Sequence, residues 1–168
     1  LGLTFEDRLE ALFDDPVVPG IAFLITGLVL WSSRAALARD PAGHPGVRIA
    51  LLIGVAQAFA LVPGISRSGS TVVAALWLGV APVEAAAFSF LMAIPAIAGA
   101  AVLQVPDVME GPIGIGGLAL AVGSLAAAVT GVVAIRTFVA MLRRRSFHLF
   151  ALYVWVLGVA FLGWVLLR

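Results

Sequence analysis

The sequence contains no cysteine and no lysine, and only 11% of its 168 residues are charged. The lack of cysteine excludes disulfides, zinc–thiolate sites, iron–sulfur clusters and thiol nucleophiles. An ordinary soluble domain carries about 25% charged residues, so the scarcity of charge excludes that class of protein. The formal net charge of +1 gives no reason to expect a nucleic-acid partner.

Apolar residues dominate the chain. They make up 62% of it, the mean hydropathy is +1.15, and arginines stand at the ends of the apolar runs. Because about 20 apolar residues cross a bilayer, we predict an all-α, polytopic membrane protein with crossings over residues 17–38, 84–106, 113–142 and 147–167. Residues 1–15 are expected to form an amphipathic helix at the membrane surface. The arginine-rich loops are expected on the cytoplasmic side.

The pattern of residues 47–81 does not predict a single membrane crossing. Two short apolar halves are separated by the sequence PGISRSGST at residues 63–71. Short halves broken by proline, glycine and charge are typical of a re-entrant helix pair, whose irregular backbone is tolerated where it lines a protein cavity. We therefore predict a re-entrant pair over residues 47–81 within a single membrane domain.

Arg67 most needs an explanation, because a charge at mid-membrane costs about 2.5 to 3.5 kcal/mol on insertion scales. A helix that begins near Ser70 would point its positive end at an anion, and a guanidinium suits phosphate oxygens. The same segment supplies hydroxyls, and glycines that let backbone amides approach a ligand: Gly64, Ser66, Ser68, Gly69, Ser70 and Thr71. We predict a phosphate site here. The alternative is a polar loop whose arginine reaches the lipid headgroups.

Two other polar residues are accessory candidates. Gln57 either lines the cavity or hydrogen-bonds between helices. Glu84 is the only carboxylate between residues 40 and 107, and a contact with the helix dipole is favoured over a catalytic role. His44 and His148 are expected at the membrane interface, and no spacing of residues in this chain predicts a metal site.

The segments ALVPGISRSGSTVVAALWLGV and EAAAFSFLMAIPAIAGA closely resemble the undecaprenyl-diphosphate phosphatase family, also called the bacitracin-resistance family. The segments RTFVAMLRRRSFHLFALYVWVLGVA and LTFEDRLEALF extend the resemblance to essentially the whole chain. It implies a bacterial inner-membrane enzyme that removes the terminal phosphate of undecaprenyl diphosphate, which recycles the cell-wall carrier lipid. By position, Arg67 would bind the diphosphate, and Ser66 would be the nucleophile or a phosphate ligand, with water as the other attacker.

The family fold has two inverted halves, each with a re-entrant pair, and this chain resembles the C-terminal part. The resemblance implies a missing N-terminal repeat, which would supply an ExxxE motif and a histidine that act with a divalent cation, Mg²⁺ or Ca²⁺. Expected partners are a polyprenyl diphosphate and membrane lipids, and a homodimer is compatible with the sequence. A transporter or flippase for an anionic polyprenyl-phosphate-like lipid is the alternative function, since broken helices are typical of carriers. The third possibility is that this segment is inert without its other half.

Overall fold

The computed structural model describes residues 12–110 and 117–167, and these residues are almost entirely helical. Six α-helices and one short 3₁₀ helix follow each other along this part of the chain. They are α1 (Val17–Ala38), α2 (Val47–Phe59), α3 (Arg67–Trp77), α4 (Pro82–Glu110), α5 (Gly117–Arg143), the 3₁₀ helix (Phe147–Leu149) and α6 (Phe150–Leu166). Except for its last four residues, the surface helix predicted over residues 1–15 lies outside the described residues.

Four of the helices are long and apolar enough to cross a membrane. The spans are Val17–Ala38, Pro82–Leu103, Leu118–Arg143 and Phe147–Leu166. They confirm the prediction of a polytopic helical membrane protein. Helix α4 continues to Glu110, beyond the predicted end of its crossing at residue 106. No glycine between Gly99 and Gly111 interrupts this part of the helix. The missing N-terminal repeat stays a prediction.

Helices α2 and α3 pack together as a hairpin that returns to the end where it started. At its base, the Gly43 amide donates to the Gly79 carbonyl at 2.9 Å, and the Ala81 amide donates to the Gly43 carbonyl at 2.8 Å. The helices have 13 and 11 residues, which correspond to about 20 Å and 17 Å at 1.5 Å per residue. Neither length spans a hydrocarbon core of about 30 Å, so the hairpin enters and leaves the core on one side.

The hairpin base lies at the arginine-rich end of the molecule. Arg145 forms an ion pair with Asp40 and donates to the Leu37 carbonyl at 3.3 Å. Arg39 lies over the Trp77 ring at 4.4 Å from its centroid. These contacts join the end of α1, the hairpin base and the turn between α5 and α6. The positive-inside rule assigns this end to the cytoplasmic side.

Helix α1 is the centre of the bundle, with α3 and α6 packed against it. Small residues allow this approach: the indole of Trp155 on α6 covers Gly27, and its Nε1 donates to the Leu24 carbonyl at 3.1 Å. In a bilayer, close packing at such small residues replaces the hydrophobic effect as the force that joins helices. The contact between α1 and α6 therefore depends on Gly27.

We expect Gly27→Ala to destabilise the protein by about 1 to 3 kcal/mol, because the added methyl collides with the Trp155 indole. Gly123→Ala on α5 is the matched control, since a methyl there meets no atom within 4 Å. Thermal unfolding of the purified protein in detergent measures both changes. Equal unfolding temperatures for the two variants would contradict this account of the α1–α6 contact.

Candidate active site

The tip loop of the hairpin, residues 60–66, ends at Ser66, which caps α3. Ser66 is extended, and its Oγ accepts a hydrogen bond from the Gly69 amide at 3.1 Å. Serine is a preferred N-cap because its oxygen satisfies an amide of the first turn. This cap starts the helix at Arg67, three residues before the predicted start near Ser70. The amides of Arg67 and Ser68 have no acceptor within α3, so they are available to an anion at this end.

Thr26, in the middle of α1, holds the tip loop in place. Its Oγ1 donates to the Gly64 carbonyl at 3.0 Å and accepts from the Ser66 amide at 3.1 Å. The residue is only 3% exposed. In hydrocarbon, an unpaired backbone group costs several kcal/mol. One hydroxyl therefore satisfies two backbone groups of the loop and orients Ser66.

Gly64 and Gly69 serve packing more than ligand approach. Gly64 has a φ of +91°, and a Cβ there would lie 2.6 Å from the Pro19 carbonyl oxygen. A Cβ on Gly69 would lie 2.9 Å from the Ser66 Oγ and 3.1 Å from Leu30. Both glycines thus bring the tip loop and the first turn of α3 against α1. Gly69 also lines the cavity described below.

Thr71 supports the first turn of α3 from behind. It is buried, its Oγ1 donates to the Arg67 carbonyl at 3.0 Å, and it lies 2.6 Å from the Oγ of buried Ser89 on α4. Its hydroxyl is thus used inside the protein. The half-buried Ser70 donates its amide to the Ser66 carbonyl at 2.9 Å. The structure places Thr71 as a support for the predicted phosphate site.

A cavity of about 360 Å³ opens beside the start of α3, between it and α5. Its polar wall comes from Ser66, Ser68 and Gly69, together with Thr137 on α5. The rest of the wall is apolar: Leu30, Ala134, Phe138, Met141, Phe147 and Phe150. Ser66 also borders a second cavity of about 220 Å³, which Thr26, Gly64 and Ile65 line with it. The site therefore combines a small polar patch with a large apolar surface.

Arg67 is the first residue of α3 and is half-buried. Among the described side chains, residues 12–103 and 118–167, its guanidinium makes no hydrogen bond or ion pair. The donors of a guanidinium match the oxygens of a phosphate. Its cation and the free amides beside it make the start of α3 suitable for an anionic ligand.

Of the two accessory candidates, Glu84 lies at the far end of α3 from this site, and Gln57 lies near the tip end of α2. Glu84 is in the first turn of α4, where it pairs with His44 Nδ1 at 3.3 Å beside the hairpin base. The length of α3, about 17 Å, separates that base from Ser66. Gln57 is half-buried near the end of α2, and its carbonyl accepts from the Ala60 amide at 3.1 Å. Neither residue lines the cavities at Ser66.

The described residues do not form a metal site. They contain no group of three histidine, aspartate or glutamate side chains close enough to hold an ion. The described residues that form the walls of the cavities at Ser66 include no carboxylate or imidazole. His148, the second histidine of the chain, packs edge-on against Trp31 at 5.6 Å between ring centroids. The cavity side chains alone therefore do not fit a divalent cation.

The sequence analysis missed Thr26, Ser89 and the α5 wall of the cavity. Thr26 and Ser89 are buried hydroxyls inside apolar helices. A polar side chain inside an apolar run is a signal for such a role, and the same signal marks Thr137. Which loop or cavity each would contact depends on the packing of helices far apart in sequence.

A family profile described as "Bacitracin resistance protein BacA" matches residues 1–160. The chain belongs to this family. The match confirms the resemblance in the PGISRSG segment and its surroundings. In the present structure, this segment forms the tip of the hairpin and the first residues of α3.

Several relatives of this BacA chain bear the name undecaprenyl-diphosphatase. That of Methanothermobacter thermautotrophicus is 42% identical over 166 residues, which cover 96% of this chain and 91% of the relative. Undecaprenyl-diphosphatase 4 of Bacillus thuringiensis subsp. konkukian is 41% identical, with 96% of this chain and 63% of the relative covered. That of Carboxydothermus hydrogenoformans is 41% identical, with 64% of its length covered. The chain thus spans less than two thirds of the last two relatives.

We expect Thr26→Val to destabilise the protein by about 1 to 3 kcal/mol, because the Gly64 carbonyl and the Ser66 amide lose their partner. Thr26→Ser keeps the hydroxyl and should stay close to wild type. Thr130→Val on α5 is the control, since its hydroxyl bonds only carbonyls of its own helix. Thermal unfolding in detergent measures all three. A Thr26→Val protein as stable as Thr130→Val would show that the two hydrogen bonds of Thr26 do not hold the tip loop.

Proposed function

We propose that this chain hydrolyses undecaprenyl diphosphate to undecaprenyl phosphate and inorganic phosphate. One observation carries the proposal: the unpaired Arg67 and the Ser66 cap begin a helix beside a mostly apolar cavity, in a chain of the BacA family. A polyprenyl diphosphate has the same two parts, a charged head and a long apolar chain. The names of the relatives support this choice of substrate.

The diphosphate head binds at the start of α3 in this proposal. The free amides of Arg67 and Ser68 donate to phosphate oxygens, and the positive end of the helix dipole favours the negative charge. The guanidinium of Arg67 adds charge-assisted hydrogen bonds. These donors also stabilise the charge that develops on the phosphoryl oxygens during transfer.

The polyprenyl chain lies along the apolar wall of the cavity. Leu30, Phe138 and Phe147 supply much of this wall. A volume of 360 Å³ holds the head and only the first part of the chain. The remainder of the chain runs along exposed apolar helix faces into the bilayer, since large apolar side chains of α5 such as Leu125 and Val129 are exposed in the described structure.

Either Ser66 or water attacks the terminal phosphorus. With Ser66, an Oγ–P bond forms as the bridging P–O bond breaks, undecaprenyl phosphate leaves, and water then hydrolyses the phosphoserine. With water, the bridging bond breaks in one step and inorganic phosphate leaves directly. Among the described residues, the cavity walls hold no acidic or histidine side chain to take the proton, so this acceptor comes from elsewhere. Detection of phosphoserine in protein that is quenched with acid during the first turnover separates the two routes.

A divalent cation, Mg²⁺ or Ca²⁺, is part of the proposal as a dependence of the activity. The cavity side chains do not fit such an ion, so its ligands would come from outside the described residues. The steps above use only groups of this site and water. We further propose the bacterial inner membrane as the location. A homodimer stays a prediction.

We expect Arg67→Ala to lower kcat/KM for phosphate release from undecaprenyl diphosphate about 100-fold, the loss typical for hydrogen bonds to a charged group. Arg67→Lys should keep part of the activity, since it retains the charge and loses the bidentate fork. Arg48→Ala, at the exposed base of the hairpin, is the control. Phosphate is measured with Mg²⁺ or Ca²⁺ and again with a chelator.

Two results would contradict this proposal. Arg67→Ala activity equal to that of Arg48→Ala would exclude a role for Arg67 at the phosphate. Movement of the lipid between leaflets without phosphate release by the wild-type protein would replace the hydrolase with a carrier.

A further inference from the structure

The polar groups of the 360 Å³ cavity come from two separate elements. Ser66, Ser68 and Gly69 belong to the start of α3, and Thr137 belongs to α5 on the other wall. Helix α5 packs against α4 and the 3₁₀ helix, and the cavity lies between α5 and the start of α3. Thr137 is therefore the one hydroxyl that this wall of α5 contributes to the cavity within the described structure.

The hydroxyl of Thr137 has no hydrogen bond to the residues whose side chains the structure describes, 12–103 and 118–167. A threonine inside a helix can donate to a carbonyl of the preceding turn. Thr130, two turns earlier on the same helix, does so: its Oγ1 donates to the Ala126 carbonyl at 2.6 Å. The side chain of Thr137 is instead exposed at the cavity wall, and its hydroxyl is left unpaired by the described residues. Such a donor suits a ligand in the cavity.

We propose that Thr137 binds the diphosphate head of the substrate from the α5 wall, opposite the start of α3. This inference rests on the proposed function and deepens it. The Thr137 Oγ1 donates to a phosphate oxygen while Ser66, Ser68 and the amides of α3 hold the head from the other side. Held from two walls, the head is fixed in orientation. Thr137 is a substrate-binding residue in this scheme, without a part in proton transfer.

The test compares three variants of α5. Thr137→Val has nearly the same shape and lacks the hydroxyl, Thr137→Ser keeps the hydroxyl, and Thr130→Val removes the self-bonded hydroxyl on the same helix. We expect Thr137→Val to raise KM for undecaprenyl diphosphate about tenfold with kcat within about twofold, because the lost contact exists before and during the reaction. Thr137→Ser and Thr130→Val should stay within about twofold of wild type in both constants.

A binding measurement separates this inference from the proposed function. Farnesyl methylenediphosphonate, which cannot be hydrolysed at its bridge, is titrated against wild-type protein and variants that unfold at the wild-type temperature. Weaker binding by Thr137→Val alone supports the inference even if the wild-type protein releases no phosphate, a result that would overturn only the hydrolase proposal. Equal binding and equal KM for Thr137→Val and Thr130→Val would overturn the inference.

Discussion

The site depends on how this protein satisfies the backbone of a broken helix within a membrane. Water is absent from the hydrocarbon, so each amide and carbonyl of the tip loop needs a partner in the protein. Thr26 supplies one hydroxyl to both the Gly64 carbonyl and the Ser66 amide. The loop can therefore end at a defined Ser66, which caps α3 and leaves the next two amides free.

The other structural features maintain that end of α3. The hydrogen bonds of Gly43 close the hairpin base. The buried pair of Thr71 and Ser89 supports the first turn from the side of α4. With this support, the guanidinium of Arg67 can stay unpaired in the protein and remain available for an anion. A polar patch of this kind beside an apolar cavity suits a lipid with a phosphorylated head.

The sequence was enough to predict the fold class and the break in the hairpin, and it singled out Arg67 as the candidate anion-binding residue. These features follow from local signals: apolar run length, the PGISRSG segment and one charge in an uncharged region. The contacts of Thr26 and Ser89 and the place of Thr137 in the cavity wall could not be predicted, because each depends on which distant helix face meets the hairpin. The same limit applies to Glu84. Its position in the first turn of an apolar helix gave no sign that it pairs with His44 at the hairpin base.

The central claim is that the start of α3 is where the diphosphate binds. The chain has no cysteine, so Ser68→Cys and Ala42→Cys each create a single thiol, one at the cavity and one in the exposed loop at the hairpin base. The measurement is the rate of thiol labelling with and without farnesyl methylenediphosphonate. The account predicts that the analogue slows labelling at residue 68 and leaves residue 42 unchanged. Unchanged labelling at residue 68 under saturating analogue would contradict it.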